Sequence, residues 1–460
     1  MLPVPFLKDK KVAVIGLGKS GTSAARSLVK SGSSIIGWDD NPEVRLSCNI
    51  DGMTIVDMML YDLSELQLMV WSPGIPHRSH PIAIRARKMN IPLVCDIDLL
   101  IATNQNAKFI GVTGTNGKST TTALIGHILK TAGLSAAIGG NLGTPALDLP
   151  QLSSDGTYIL ELSSYQLELL NTAKFDIGIL LNITPDHLNR YNNMNDYAKT
   201  KASLFNHMRS DSISIISIDD AFSYKTFQNI HNTNIKLSLP ISIKNQIQNG
   251  ISVKENILID NCDGLLKSVI DLRDLKHLQG LHNWQNACAA YATTRISGIS
   301  DDIICDALKS YPGLAHRQEI IAVIDNITYI NDSKATNADA VEKALICYSN
   351  IYWIVGGQIK EGGITNLAPL FSRIIKAFLI GESSDEFAIT LNGKVPFKHC
   401  QTLDVAITMA RIAAMSDAKS NAVILLSPAC ASWDQFTSFE NRGDYFRKMV
   451  LSLPGKRGSI

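Results

Sequence analysis

FIGVTGTNGKSTTT, residues 109–122, runs from an apolar strand into a glycine-rich loop and then into a helix-forming stretch. The usual phosphate-binding loop is G-x-x-x-x-G-K-[ST]. Its backbone N–H groups and helix N-terminus cradle phosphates, and its hydroxyl meets magnesium. Gly117, Lys118 and Ser119 fit that formula, but Val112 stands where the first glycine belongs, and Gly114 supplies the backbone freedom instead. The strand–loop–helix context makes Gly114, Thr115, Asn116, Gly117, Lys118, Ser119 and Thr120 a nucleotide-phosphate site, with the helix expected over 118–131. Lys118 then faces the β- and γ-phosphates and Ser119 the metal. A glycine-rich turn with an exposed lysine is the plain alternative.

The strand after this loop, YILEL, carries Glu161 in an apolar run. A carboxylate buried there needs a cation. Magnesium suits, because it binds nucleotide phosphates through one or two carboxylates. Capping the helix that starts SSYQLELL is the competing role. NITPDHLNRY follows a further strand and brings Asn182, Asp186 and His187 to the same sheet edge. A lone histidine is more often structural, and this placement opposite the loop sets a ligand role evenly against that reading. NDYAKTKASLFNHM reads as a helix capped near Asn195, with Tyr197, Lys201, Leu204, Phe205 and Met208 on one face and Lys199 elsewhere. From spacing alone Lys201 is a snorkelling lysine. A desolvated amine of lowered pKa would also react with carbon dioxide to give a metal-binding carbamate.

Further out, KVAVIGLGKSG is strand, turn and helix, and Gly16, Gly18 and Gly21 with Asp39 downstream mimic a dinucleotide fingerprint. Alone this suggests NAD or a packing turn. Strands alternating with helices imply an α/β protein of parallel sheets. At 460 residues the chain exceeds one ordinary core. Units are expected at 1–97 (Rossmann-like), 98–313 (a central P-loop ATPase-type α/β domain) and 314–460 (doubly wound α/β). Residues 210–264, rich in Ile, Asn and Ser, read as β-hairpins. A formal net charge of +1 gives no global pull toward nucleic acid or membrane. Eight scattered cysteines without a CxxC pair argue against zinc and disulfides. No signal-peptide layout or membrane-length apolar run stands out, so a cytoplasmic protein is expected.

Taken in order, GLGKSG, SPGIP, GTNGKST, GGNLG, ELSSYQLE, NITPDHLNRY, GLHNWQNACAA, HRQE, NDSKATN and SPACASWDQF resemble the amide-forming Mur ligases of bacterial cell-wall synthesis along essentially the whole chain. DSKATN points within that family to the member using D-glutamate. GTNGKST is the family's own form of the loop, which accounts for the displaced glycine. The resemblance implies three domains, ATP, and magnesium at two sites. Ser119 and Glu161 would hold the first metal, and His187 and a carbamylated Lys201 the second. It makes Lys118, His187, Lys201 and Arg317 the catalytic set and adds Asn283, Asn286, Arg317 and Asp332 as ATP contacts. UDP-N-acetylmuramoyl-L-alanine would meet Gly18, Lys19, Ser20, Asp39, Ser72, Gly74, Asn141 and His187. D-glutamate would meet Lys334, Thr336, Lys360, Ser432 and Phe439. The implied reaction runs through an acyl phosphate in a monomer, with no nucleic-acid partner and no membrane insertion. Trp433 departs from the family, which has a smaller aliphatic residue there. Sister ligases, a folylpolyglutamate synthetase, a nicotinamide-dependent oxidoreductase and an inactive nucleotide-binding scaffold are the competing readings.

Overall fold

The structure, a computed structural model, describes residues 1–186, 190–231, 237–359 and 363–458. His187 and Lys360 lie outside the described residues. Three sheets order the chain. The first holds β1 (Lys11–Ile15), β2 (Ser34–Trp38), β3 (Met53–Ile55), β4 (Leu68–Trp71) and β5 (Leu93–Val94), in the order β3-β2-β1-β4-β5. All its pairings are parallel. The order reverses between β1 and β4, and ligands of open α/β sheets bind outside the strand C-termini at such a point. Gly16 follows β1 there and Ser72 follows β4. A Cβ on Gly16 would stand 2.4 Å from the Cβ of Ser72, and one on Gly21 would stand 1.7 Å from the Gly16 carbonyl oxygen. Both glycines therefore serve close packing at the switch point.

The second sheet holds β6 (Lys108–Thr113), β7 (Ala136–Gly140), β8 (Thr157–Glu161), β9 (Phe175–Leu180), β10 (Met208–Ser217), β11 (Leu237–Ser242), β12 (Ile251–Lys254), β13 (Ile257–Asp260) and β14 (Lys267–Asp271). Its order is β14-β13-β12-β11-β10-β9-β6-β8-β7. This corrects the hairpin reading of 210–264 for residues 210–242 and bears it out for 251–260. β10 and β11 are parallel strands joined through the helix Ala221–His231, and only β12, β13 and β14 pair antiparallel. The alternation of Ser and Ile in β10 looked like one wet face and one dry face. In fact Ser212, Ser214 and Ser217 are buried like Ile215 and Ile216, and Ser214 donates to the Ser238 hydroxyl at 2.8 Å.

The third sheet holds β15 (Glu319–Ile324), β16 (Ile327–Asn331), β17 (Ile351–Gly356), β18 (Ile374–Ile380), β19 (Phe397–Gln401) and β20 (Ala422–Leu426). Its order is β15-β16-β20-β17-β18-β19, with only β15 antiparallel to its neighbour. The contacts divide the chain into two compact units. The first is Met1–Asp274 with Asn283–Tyr311, and the second is Leu275–His282 with the chain from Pro312 onward. The first two sheets share the first unit. Leu2 N donates to Leu147 O at 2.7 Å, and one carboxylate oxygen of the buried Asp98 collects the N–H groups of Asn171, Thr172 and Ala173 at 3.0, 2.9 and 2.9 Å. No helix among the described residues is long and apolar enough to cross a membrane.

Candidate active site

The loop after β6 leads into the helix Lys118–Thr131, the span expected from the sequence. Gly114 and Gly117 have φ of +151° and +85°, and a Cβ on Gly117 would stand 2.2 Å from Asn286 Oδ1. Conformation and space both demand glycine at that position. The loop is pinned from the next sheet edge. Asn182 takes the Thr115 N–H on its carbonyl at 2.8 Å and the Asn116 N–H on its side chain at 2.8 Å, while its own amide donates to Gln285 Oε1 at 2.7 Å. Lys118 Nζ donates to the carbonyls of Gly114 and Thr115 at 2.9 and 2.8 Å, so its ammonium lies over the loop. Asn286 is buried beneath the loop, accepting from Thr121 Oγ1 and donating to Asn283 Oδ1, each at 3.1 Å.

β8 pairs with β6 so that Glu161 lies in register with Val112, at the base of the loop. Its side chain is buried. Oε1 accepts from Asn141 Nδ2 at 2.8 Å, and Oε2 has no hydrogen-bond partner among the described residues. The capping alternative fails, because Ser163 and Gln166 form the capping box of the helix Ser164–Leu167. A buried carboxylate oxygen left unmatched beside a phosphate loop fits a divalent cation. Ser119, at the first turn of the loop helix, is 3% exposed.

Lys201 lies on the helix Met194–Ala202, which Asn193 caps through the Asp196 N–H, two residues before the expected cap. The helix ends sooner than its apolar stripe implied, and the 3₁₀ helix Ser203–His207 carries Leu204 and Phe205 inward. The snorkelling reading is overturned: Lys201 is 1% exposed. Its Nζ donates to the Gly114 carbonyl at 2.8 Å, the acceptor it shares with Lys118, and lies 4.7 Å from the centre of the Tyr197 ring. Burial first, and the Lys118 charge second, push its pKa well below the usual lysine range.

In the first sheet, Asp39 Oδ2 accepts the Leu17 N–H at 2.7 Å, which ties the end of β2 to the glycine turn. Gly18 caps the helix Lys19–Lys30, in which Lys19 and Ser20 form the first turn. Ser72 N donates to Ile15 O at 2.8 Å, and a Cβ on Gly74 would meet nothing within 4 Å.

The second unit gathers the residues after β16 and β20. Lys334 Nζ stands 5.1 Å from the centre of the Phe439 ring, Thr336 is half-buried two residues on, and Ser432 is buried. Trp433 is 69% exposed. Arg442, which sequence reasoning missed, holds this group together. Fully buried, it donates to Ser333 Oγ at 3.0 Å, Ser333 O at 2.9 Å, Cys430 O at 3.1 Å and Ala431 O at 3.3 Å. Burial lowers its pKa to about 10, so it stays charged near neutrality. Within the NRGDYF stretch nothing but its place on the inner face of the helix Phe439–Ser452 signals this.

Asp332 is buried. It accepts from Ser427 Oγ at 2.7 Å and from Gln318 N at 3.2 Å, with the Arg317 charge also acting on it. Burial outweighs these partners and raises its pKa to about 7. A carboxyl whose pKa rises on folding favours the folded state below its ordinary value near 4, and that contribution is lost as pH climbs through about 7. Asp332→Asn is therefore expected to gain thermal midpoint relative to the parent at pH 8 and not at pH 4. Parallel melting curves at the two pH values check this.

Residues 112–294 match the Mur ligase middle domain. The UDP-N-acetylmuramoylalanine–D-glutamate ligase of Paramagnetospirillum magneticum is 51% identical over 456 residues, covering 98% of this chain and 99% of that protein. The chain belongs to this ligase family. The Rhodospirillum rubrum member is 46% identical over 467 residues, covering 100% and 98% of the two chains. Among solved structures, MurF of Acinetobacter baumannii aligns with a TM-score of 0.61 at 16% identity over 98% and 93% of the chains. The UDP-N-acetylmuramate-alanine ligase MurC of Thermotoga maritima aligns at 0.57, also at 16% identity, over 96% and 99%. At that identity the solved structures speak for the α/β fold alone.

Proposed function

We propose that this family member joins D-glutamate to the L-alanyl carboxylate of UDP-N-acetylmuramoyl-L-alanine, with ATP converted to ADP and phosphate, in peptidoglycan precursor synthesis. Glu161 Oε2, at the foot of the phosphate loop and without a hydrogen-bond partner among the described residues, carries the reading from the site's side. A carboxylate is a poor acyl donor to an amine. Its oxygen attacks the γ-phosphorus, ADP departs, and an acyl phosphate forms. The D-glutamate amine then adds to the carbonyl and loses a proton as phosphate leaves.

Such transfer needs positioning and charge neutralisation more than covalent help from the protein. Lys118 lies over the loop to meet the β- and γ-phosphates, and the N–H groups of Gly117, Ser119 and Thr120 at the helix start suit their oxygens. Magnesium, with Ser119 and Glu161 as ligands and with His187 and carbamylated Lys201 at a second position, would neutralise charge on the phosphates and the substrate carboxylate. Asn141, already fixed on Glu161, is assigned to the muramoyl end. Gly18, Lys19, Ser20, Asp39, Ser72 and Gly74 are assigned to the UDP end. Arg317, Asp332 and Asn283 are assigned to ATP. Asn286 is placed with them as a support of the loop. Lys334, Thr336, Lys360, Ser432 and Phe439 are assigned to the two carboxylates and the stem of D-glutamate, where paired cations and hydroxyls suit the ligand. Three working domains with the boundaries given above, a cytoplasmic site of action and a monomeric state complete the proposal.

The test is phosphate release from ATP and magnesium with UDP-N-acetylmuramoyl-L-alanine, scanning D-glutamate against L-glutamate, L-lysine, meso-diaminopimelate and L-alanine. Release with D-glutamate alone is expected. Release with another amino acid would move the chain to a sister activity, and silence across the panel would overturn the reading.

A further inference from the structure

Arg190 lies where three chain segments of the first unit meet, and none of the roles above uses it. Its Nη2 donates to Glu168 Oε2 at 3.1 Å, its Nη1 reaches the Pro73 carbonyl at 3.4 Å, and its guanidinium carbon lies 3.8 Å from the centre of the Tyr165 ring. Glu168 and Tyr165 follow β8, the strand that ends in Glu161. Pro73 lies between Ser72 and Gly74, in the turn after β4. The Glu168 side chain is 4% exposed and holds a second cation, Arg78, at 3.4 Å on its other oxygen. Beside Arg190, the Tyr191 ring packs 5.2 Å from that of Tyr197, whose hydroxyl lies 3.3 Å from Thr115 Oγ1 in the phosphate loop.

One guanidinium thus joins the turn of the first sheet to the segment behind Glu161, and its neighbour in sequence continues the contact to the loop. The group suits that task. Its planar fork bonds in two directions while its face stacks on a ring, which an ammonium cannot do. Its partner is a carboxylate largely removed from water, so the pair is held more firmly than a surface ion pair.

We propose that Arg190 is a positioning residue. By fixing the Ser72–Gly74 turn against the segment behind Glu161, it sets where the carboxylate of a bound UDP-sugar falls relative to the γ-phosphate. The inference rests on the functional reading above, because only a substrate with one end on each sheet needs that spacing held. Misplacing reacting atoms by about 1 Å costs on the order of a hundredfold in rate.

The experiment compares wild type, Arg190→Ala, Arg190→Lys and Glu168→Gln in D-glutamate-dependent phosphate release, together with the KM for ATP, the Kd for free UDP and the thermal midpoint. UDP reports the first-sheet site alone. In Arg190→Ala, kcat is expected to fall about a hundredfold, while the KM for ATP and the Kd for UDP stay within about twofold of wild type. Arg190→Lys keeps the charge beside Glu168 and covers the case in which the alanine variant does not fold. It should melt near wild type and still lose about tenfold in kcat. Glu168→Gln should show the same split with a smaller loss. A kcat within threefold of wild type in a folded Arg190 variant would overturn the proposal. A loss shared equally by kcat, the KM for ATP and the Kd for UDP would do the same, since that marks general disruption. Silence of the wild type itself would bring down the functional reading instead, and the two failures are therefore distinct.

Discussion

Lys201→Ala is expected to reduce turnover by more than about a thousandfold, with short carboxylic acids restoring part of it. Lys201 is 1% exposed, shares the Gly114 carbonyl with Lys118, and has its pKa pushed well below the usual range by burial and by the Lys118 charge. Two ammonium groups on one carbonyl, one of them buried, are costly. The neutral amine avoids that cost, and it is also the form that attacks carbon dioxide. The amine nitrogen bonds to the carbon, a proton leaves to solvent, and an anion stands where a cation would repel Lys118. Removing that anion takes away a proposed metal ligand, an effect comparable to losing a preorganised charge in a catalytic site. Exogenous acetate or propionate can occupy the space left by the truncated side chain and supply a carboxylate. Phosphate-release assays with and without the acids, and a carbamate carbon resonance after equilibration with labelled bicarbonate, check this. Wild-type turnover in the unrescued variant would remove the role. Lys201→Met keeps the volume of the stem, and its melting midpoint should match or exceed the parent's, which separates lost chemistry from lost folding.

Glu161→Gln is expected to move activity and stability in opposite directions. In the parent, Oε1 is bonded to the Asn141 amide and Oε2 has no hydrogen-bond partner among the described residues, and a buried acceptor left unbonded costs about 1–3 kcal/mol. Glutamine keeps the shape and the Asn141 contact through its carbonyl oxygen and removes the charge. The thermal midpoint without metal should therefore rise by a few degrees, in the range that about 1 kcal/mol gives for a chain of this size. Turnover should fall by about 10²–10³, the usual consequence of losing one charge-stabilising group. Magnesium with an ATP analogue should raise the midpoint of the parent and do so far less in the variant. A variant that stays active, or that melts lower than the parent both with and without metal, would contradict the assignment of Glu161 to the cation.

The sequence made the phosphate loop, its helix and Glu161 readable because local chemistry decides them. Gly117 cannot carry a Cβ against Asn286, and a carboxylate amid Tyr158, Ile159, Leu160 and Leu162 has nowhere wet to go. Lys201 was legible as a residue on the apolar face but not in its environment, since periodicity gives a direction and not the depth of the wall. Residues 210–242 misled for a related reason: the serines of β10 are buried, and Ser214 bonds to Ser238 of the neighbouring strand inside the sheet, so polarity ceased to mark the surface. Arg442 and Arg190 were illegible because each works by joining segments far apart in the chain. A single arginine has no spacing that announces a partner a hundred residues away.

Arg442 sits near the end of the chain, yet it holds Ser333 to Cys430 and Ala431, the neighbours of the residues assigned to D-glutamate. Ribosomes deliver a chain from its N-terminus, and early domains fold while later ones are still being made. The nine-stranded sheet is complete in sequence once Asp271 has emerged. At about 5–20 residues per second, Arg442 follows on the order of ten seconds or more afterwards. A nascent chain can therefore own a finished nucleotide loop while its amino-acid pocket still lacks the cation that fixes it. A message truncated between Tyr311 and that helix would release a protein with the first capability and without the second.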